Sequence, residues 1–411
     1  MDSSHALVVG GGGTGVGTAR DLAMRGVDVT LVDRGGLGSG TTGRSHGLLH
    51  SGARYAENDP SGASECIREN RILRDIAGHC IGCDCGYFVQ LTDDDPAYFD
   101  EKLSACRDLN VPAEVRTPDE VGDEVPDLTD DAERIMVVPD GVIYPSRLVA
   151  ATAASAREHG ATIRPNAPVR DLLVENDAVV GARVETDDGE ETIRADHVVN
   201  AAGAWAGEIA DMAAVDVSMR PAKGVMVAVD YPDLPVVLNR CRPPADGDIV
   251  VPHEGEVVLG TTSVAVDDPD EFDEERWEVE RCIEECARML PPVADAAVER
   301  TYWGVRPLYG PDEDEREGER GISRGFFVLD HADRDGLDGL TTVVGGKLTT
   351  HRLMAEAVAD HVCGRFGVDV PCRTPDEPLY GAGDPGAVQD AIREFHALSP
   401  ADEDAQRSSS H

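Results

Sequence analysis

An apolar run, His5–Val9, that opens directly into Gly10-Gly11-Gly12-Gly13-Thr14-Gly15 leaves this chain few ways to begin folding. Helix-forming residues follow over 15–25, and an alternating run of Val27, Val29 and Leu31 closes on Asp33. Strand, glycine turn, helix and strand in that order make the first unit of a parallel α/β sheet. Within the turn, the spacing Gly10-x-Gly12-x-x-Gly15 has a mechanical meaning. Gly10 makes the tight turn, Gly12 lets a pyrophosphate approach the backbone, and Gly15 lets the helix close on the strand. Gly13 and Thr14 lead into the helix, whose N-terminal N–H groups and dipole favour an anion. Asp33, eighteen residues past Gly15 and followed by Arg34, is placed to accept ribose hydroxyls.

With 411 residues the chain can bury a full core over two or three domain-sized units. Helical patterns are expected at about 61–77, 145–159, 273–290 and 349–366. Strand-like segments fall at 86–91, 162–165, 169–175, 178–186, 190–195 and 196–201, and β-branched runs recur between 219 and 266. The expected fold is α/β, with a discontinuous Rossmann-like domain from residues 1–85, 140–218 and 320–370. Residues 86–139 and 219–319 form a mostly antiparallel α+β substrate domain inserted into it. Residues 371–411 are a short, partly disordered C-terminal extension, with a mobile polar end from 399. The acidic segment 312–319 is expected to be a solvated loop.

The glycine motif does not by itself separate NAD from FAD. Three further segments favour FAD. Gly40-Thr41-Thr42-Gly43-Arg44-Ser45 is small enough to lie along an extended diphosphate–ribityl arm. Val198–Trp205 places Gly203 and its small neighbours where a bulky nucleotide needs room. Gly345-Gly346-Lys347-Leu348-Thr349-Thr350 ends a late strand and offers backbone donors from a helix start. No second glycine motif follows a strand, so NAD(P)H is not an obvious co-reactant.

The formal net charge is -42, and only three of the 37 basic residues are lysines: Lys102, Lys223 and Lys347. Carboxylates spread through the whole chain suit a high-salt cytoplasm, where screening blunts their repulsion. Nucleic acid is excluded as a partner, as is direct binding to an anionic bilayer. An anionic substrate has to be captured by a local basic pocket. There is no targeting segment and no apolar stretch of transmembrane length. Ten scattered cysteines do not make a disulfide framework. Cys80, Cys83 and Cys85 offer three thiols without an obvious fourth ligand, so inert thiols are favoured over a metal or cluster, and no metal is expected.

Several segments together resemble FAD-dependent glycerol-3-phosphate dehydrogenase, within the D-amino-acid-oxidase-like flavoproteins, and most resemble the large flavoprotein subunit of the anaerobic type. They are the Val8–Gly15 turn, Gly40–Tyr55 with His46, His50 and Arg54, Asn200–Trp205, Arg220–Gly224, Trp303–Leu308 with Arg306, and Gly345–Thr350. The resemblance covers about residues 5–370 and implies FAD as cofactor. On the substrate side of the flavin it implies His50, Arg306 and Lys347 as catalytic groups, and Arg54, Tyr55 and Arg324 as substrate-binding groups. It adds Thr41, Thr42, Arg44, Ser45, Gly203, Trp205, Gly345, Gly346, Leu348 and Thr349 to the cofactor side, although Trp205 and Trp303 read more naturally as packing residues. His50 has a structural histidine as its rival role, Tyr55 core packing, and Arg306 an inter-domain salt bridge.

The residue chemistry agrees with a phosphate ester as substrate: a dianion wants convergent guanidiniums, here Arg54 and Arg324. Lys347, kept in a chain nearly devoid of lysine, suits a compact cation beside the substrate oxygen or the flavin. The implied reaction is oxidation of sn-glycerol 3-phosphate to dihydroxyacetone phosphate, with hydride going to flavin N5. Electrons then pass to the quinone pool through iron–sulfur and membrane-anchor partner subunits, which would hold the protein at the inner face of the cell membrane. About 35 residues without cysteine follow Asp376, fewer than such large subunits often carry. The relay is therefore expected from a partner, or the flavin meets its acceptor directly. An FAD oxidase of amino or 2-hydroxy acids is the competing enzyme, and a non-catalytic flavin-binding subunit the competing class.

Overall fold

The computed structural model describes residues 4–186, 188–232, 234–310 and 325–402. His5–Val9 becomes the central strand of a six-stranded sheet. In spatial order the strands are Phe326–Asp330, Leu340–Gly345, His197–Asn200, His5–Val9, Asp28–Val32 and Thr162–Arg164. All neighbours are parallel except the first pair. The sheet is thus assembled from three separated stretches of chain.

Burial on both faces explains why the first strand is apolar throughout. Ala6 and Val8 face a core shared with the helices Gly13–Met24, Pro145–Glu158 and His351–Phe366. Leu7 and Val9 face the other way, toward a second core that includes Leu172, Val179, Ala182 and Val184. Those four belong to a three-stranded antiparallel sheet of Val169–Glu175, Ala178–Thr186 and Gly189–Arg194. One strand therefore feeds two cores by simple alternation.

The inserted domain is built on a nine-stranded sheet. Strands from 86–138 and from 222–306 share it, joined where Gly86–Leu91 runs parallel to Val237–Arg240 with Gly86 opposite Val237. The remaining pairings in this sheet are antiparallel. Tyr87, Val89 and Leu91 pack with Cys282, Cys286 and Met289, on and just beyond the helix Arg276–Ala287. Phe88 points to the opposite face, where Phe99 and Cys106 of the helix Pro96–Asp108 cover it.

Two helices depart from expectation. Pro96–Asp108 lies in a part of the chain rich in carboxylates and prolines for which no helix is expected, and Pro385–Glu394 lies in the extension expected to be partly disordered. Both start the same way. An aspartate before a proline caps the first turn: Asp95 accepts from the Ala97 amide at 2.9 Å, and Asp384 from the Gly386 amide at 3.0 Å. Asp59 and Pro60 do likewise for the helix Pro60–Ile76.

The expectation of a mobile end from residue 399 does not hold for 399–402. The Ser399 hydroxyl donates to the Gly43 carbonyl at 2.6 Å, and the Arg300 Nε donates to the Pro400 carbonyl at 2.7 Å. The buried Asp402 carboxylate accepts from the Ser146 amide at 3.1 Å. These bonds brace the 40–45 segment from behind. The acidic segment 312–319 and Arg324 lie outside the described residues. Among the described residues, no helix is long and apolar enough to cross a membrane.

Candidate active site

At the nucleotide end, the Gly13–Met24 helix starts at Gly12 with no side-chain cap and no acid in its first turn. No acidic side chain of its own first turn therefore offsets its positive end, in contrast to the aspartate-capped helices. The glycines are required by close approach. A Cβ on Gly15 would stand 1.8 Å from the Gly10 carbonyl oxygen, and one on Gly10, at φ +108, would stand 2.5 Å from the Ala201 oxygen. Thr42 lies across the opening, its hydroxyl accepting from the Gly13 amide at 3.1 Å. Asp33 closes the second strand as expected. Its carboxylate accepts from the Gly11 amide at 2.6 Å and the Gly35 amide at 2.8 Å, while burial pushes its pKa up.

The 40–45 segment lies beside this turn, anchored to the inserted domain. Thr41 donates to the Val305 carbonyl at 2.6 Å, and Arg44 to the Ser39 and Trp303 carbonyls at 3.2 and 3.4 Å. Ser45 donates to the Thr42 carbonyl at 3.0 Å. Gly203, at φ +61, begins a short turn ending in Trp205. Trp205 packs against Gly40, and the Arg34 guanidinium lies 4.3 Å above its ring. Arg34 also reaches the inserted domain, donating to both Asp270 oxygens at 2.8 Å. Trp205 thus carries a cation on its face and packs against chain, as a packing residue does.

The far end is organised by the Gly345–Gly346 pair, with φ +80 and +75. This left-handed double step turns the strand Leu340–Gly345 into a short turn at Leu348–Thr350 and then the helix His351–Phe366. Lys347 leaves the step with its side chain only 5% exposed. Its Nζ lies 4.5 Å from the centre of the Tyr55 ring and 3.7 Å from Asp59 Oδ2. Thr349 accepts from the backbone amide of His50 at 3.0 Å.

His50 is buried and held at both ends of its backbone, because Asn70 donates to its carbonyl at 3.2 Å. Its Nε2 lies 3.3 Å from the Tyr55 hydroxyl. Arg54 sits between Ala53 and Tyr55 in a short 3₁₀ turn. The structure therefore brings His50, Tyr55 and Lys347 together from opposite ends of the sequence, with Arg54 next to Tyr55 in the chain and directed to Asp248.

Arg306 ends the strand Val298–Arg306 and donates to the Lys223 carbonyl at 3.2 Å and the Thr262 carbonyl at 2.8 Å. The next residue, Pro307, accepts from the Gly345 amide at 3.1 Å, which sets Arg306 at the junction of the two domains. Lys223 is part of the inserted domain's interior. Its ammonium pairs with buried Glu278 at 2.6 Å, and Glu278 also accepts from Thr262 at 2.7 Å.

Several polar groups escaped sequence reasoning. Asp248 is buried and accepts from Arg242 Nε and Nη2 at 2.9 and 2.7 Å, and from Arg54 Nη2 at 3.5 Å. Asn70 and Asp59 are the others. Only Asp59 carried a signal, its place before Pro60. All ten cysteines are free. Burial pushes the Cys80 thiol up to about 12 and also raises Cys83 and Cys85, which keeps them protonated. Among the described residues, no cluster of three or more His, Cys, Asp or Glu could hold a metal ion.

A family model described as FAD dependent oxidoreductase matches residues 5–352. The chain belongs to that family of FAD-dependent oxidoreductases. Its relatives there include subunits of anaerobic glycerol-3-phosphate dehydrogenase. It is 52% identical over 409 residues to one such subunit from Haloferax volcanii, covering 97% of this chain and 70% of that one. It is 43% identical over 391 residues to another from Escherichia coli, covering 94% and 72%. Among solved structures, glycerol-3-phosphate dehydrogenase from Bacillus halodurans, complexed with FAD, aligns with a TM-score of 0.70 at 24% identity, over 96% of this chain and 71% of that one. A glycine oxidase from Bacillus cereus shares the fold at a TM-score of 0.68 and 22% identity, over 88% and 96%.

FAD is the cofactor of this FAD-dependent oxidoreductase, and the chain fits it. The helix start without a side-chain cap and the open glycine backbone suit a pyrophosphate, and the half-buried Asp33 carboxylate suits ribose hydroxyls. Its substrate is small and polar.

Proposed function

We propose that this chain oxidises sn-glycerol 3-phosphate to dihydroxyacetone phosphate, with FAD as the immediate acceptor. One observation carries the proposal. The Arg54 side chain is only 13% exposed, yet its one ion pair among the described residues is a single 3.5 Å contact to Asp248. A buried guanidinium has five N–H donors to satisfy, and most of these are left for a ligand with several acceptor oxygens. A phosphate ester is such a ligand. Lys347 and His50, which meet at Tyr55, the residue next to Arg54 in the chain, supply with it the groups that a neighbouring secondary alcohol needs.

FAD, held by the Gly10–Gly15 turn and the 40–45 segment, would supply the two-electron acceptor for the hydride that C2 of the alcohol gives up. Arg54 holds the phosphate and so fixes C2 relative to His50. His50, its Nε2 held 3.3 Å from the Tyr55 hydroxyl, orients or accepts the C2 hydroxyl proton. Lys347 steadies the negative charge that builds on that oxygen, and Arg306 supports it from the domain junction.

The relatives from Haloferax volcanii and Escherichia coli are each named as one subunit of a larger dehydrogenase, which supports delivery of electrons through partner subunits. We assign iron–sulfur and membrane-anchor proteins to that role and the quinone pool as the final acceptor. The chain then sits peripherally at the inner face of the cell membrane.

An anaerobic absorbance titration in molar KCl tests the substrate. Glycerol 3-phosphate should bleach the bound flavin, while glycerol and lactate should not. Flavin that stays oxidised with glycerol 3-phosphate overturns the assignment. Bleaching by lactate instead identifies a 2-hydroxy-acid enzyme.

A further inference from the structure

The helix Pro96–Asp108 turns a narrow buried face inward, made of Phe99, Lys102 and Cys106. That is the i, i+3, i+7 spacing of an apolar stripe, and its central position is a lysine. Lys102 is 1% exposed. Its Nζ donates to the Ala53 carbonyl at 3.0 Å and pairs with Glu57 Oε1 at 2.6 Å. The rings of Phe88 and Tyr98 lie 5.1 and 5.2 Å from it and keep water away.

Stability alone does not favour this arrangement. A buried ion pair replaced by apolar side chains of similar volume is often neutral or stabilising. A methionine at 102 would continue the stripe without desolvating a charge. What the ammonium adds is a location: its two partners, Ala53 and Glu57, flank Arg54 and Tyr55 on the chain. Gly52 enters this turn at φ +97, so the segment makes a sharp bend just before it.

We infer that Lys102, with Glu57, is a positioning residue that brackets the Ala53–Tyr55 turn and holds Arg54 and Tyr55 at the substrate. The inference rests on the proposed function, because it assigns a purpose to the aim of those two side chains. Lys102 touches neither substrate nor cofactor. It acts from the inserted domain on a turn that leads into the helix Pro60–Ile76, so the seating of that domain is transmitted to the anion-binding guanidinium.

The test uses the FAD-loaded full chain with Lys102→Met, Glu57→Gln and the double variant. Lys102→Met alone strands a buried carboxylate and loses stability for that reason. The double variant removes both charges and recovers it. If the pair serves only stability, the double variant returns to wild-type behaviour throughout. If the bracket positions Arg54, the double variant keeps its flavin and melting temperature, while KM for glycerol 3-phosphate rises tenfold or more. Its limiting rate of flavin reduction stays within about threefold of wild type.

Inorganic phosphate, followed by its perturbation of the flavin spectrum, should weaken by the same factor. A double variant with unchanged KM and phosphate affinity overturns the inference, as does loss of flavin or folding in both Lys102 variants. Wild-type flavin that glycerol 3-phosphate does not bleach sinks the functional assignment instead, and phosphate binding then reads the bracket alone. A wild type blind to both compounds overturns both.

Discussion

Replacing Arg54 with alanine separates substrate capture from cofactor binding, and the structure sets the size of each effect. On the protein side little is lost. The removed contact is a 3.5 Å ion pair at the outer limit of such interactions. Asp248 retains two Arg242 donors at 2.9 and 2.7 Å, so it is not stranded. The expected change in stability is below about 1 kcal/mol, or about one degree in melting temperature. On the ligand side, a forked pair of charge-assisted hydrogen bonds to a phosphate disappears. Each such bond contributes roughly 1.5–3 kcal/mol, so even the lower value for both gives about 3 kcal/mol, on the order of a hundredfold.

Stopped-flow flavin reduction across glycerol 3-phosphate concentrations should therefore show kcat/KM down by about two orders of magnitude. Flavin content should match wild type. Arg54→Lys keeps the charge without the fork and should lie between the two. If Arg54→Ala loses flavin in proportion to activity, or leaves KM unchanged, the guanidinium is not where the substrate binds.

Gly15→Ala should abolish flavin retention, because a Cβ there stands 1.8 Å from the Gly10 oxygen and forces the glycine turn apart. The absorbance ratio of flavin to protein reads this directly, and full loading would refute the close packing assigned to the turn. A pH dependence follows from His197 and His351, buried and held neutral with pKa values pushed down to about 4 by desolvation. Unfolded, each titrates near 6.5, so between about pH 6.5 and 4 the unfolded chain binds protons that the folded chain does not. Stability falls as pH drops through that window, by about 3 kcal/mol per histidine at its lower end. Denaturant titrations showing no loss between pH 6.5 and about 4.5 would contradict it.

The nucleotide half of the site was legible because its signals are local. Gly10, Gly12 and Gly15 are spaced by the geometry of one turn, and Asp33 ends the strand that follows. Lys347 stood out through composition, since the three lysines are so few, and all three prove to be buried ion-pair partners. The supporting carboxylates were not legible. Glu57, Asp248 and Glu278 each hold an internal pair, yet they hide among 79 acidic residues, many of them at the surface. Charge density that keeps the surface hydrated masks the few buried acids that hold the interior together. The helix at 96–108 was missed for the same reason. Its surroundings read only as rich in carboxylates and prolines, although the Asp95–Pro96 start announces a helix.

The parallel pairing of Gly86–Leu91 with Val237–Arg240 has a consequence for anyone dissecting the molecule. The two halves of the inserted sheet arrive about 150 residues apart and meet edge to edge, so neither is an excisable cassette. Such long-range closure is slow, and it waits on intervening chain that includes Val169–Glu175 and His197–Asn200 of the other domain. Splitting the gene anywhere between the two halves should yield fragments that are insoluble alone and recover colour only when produced together with flavin.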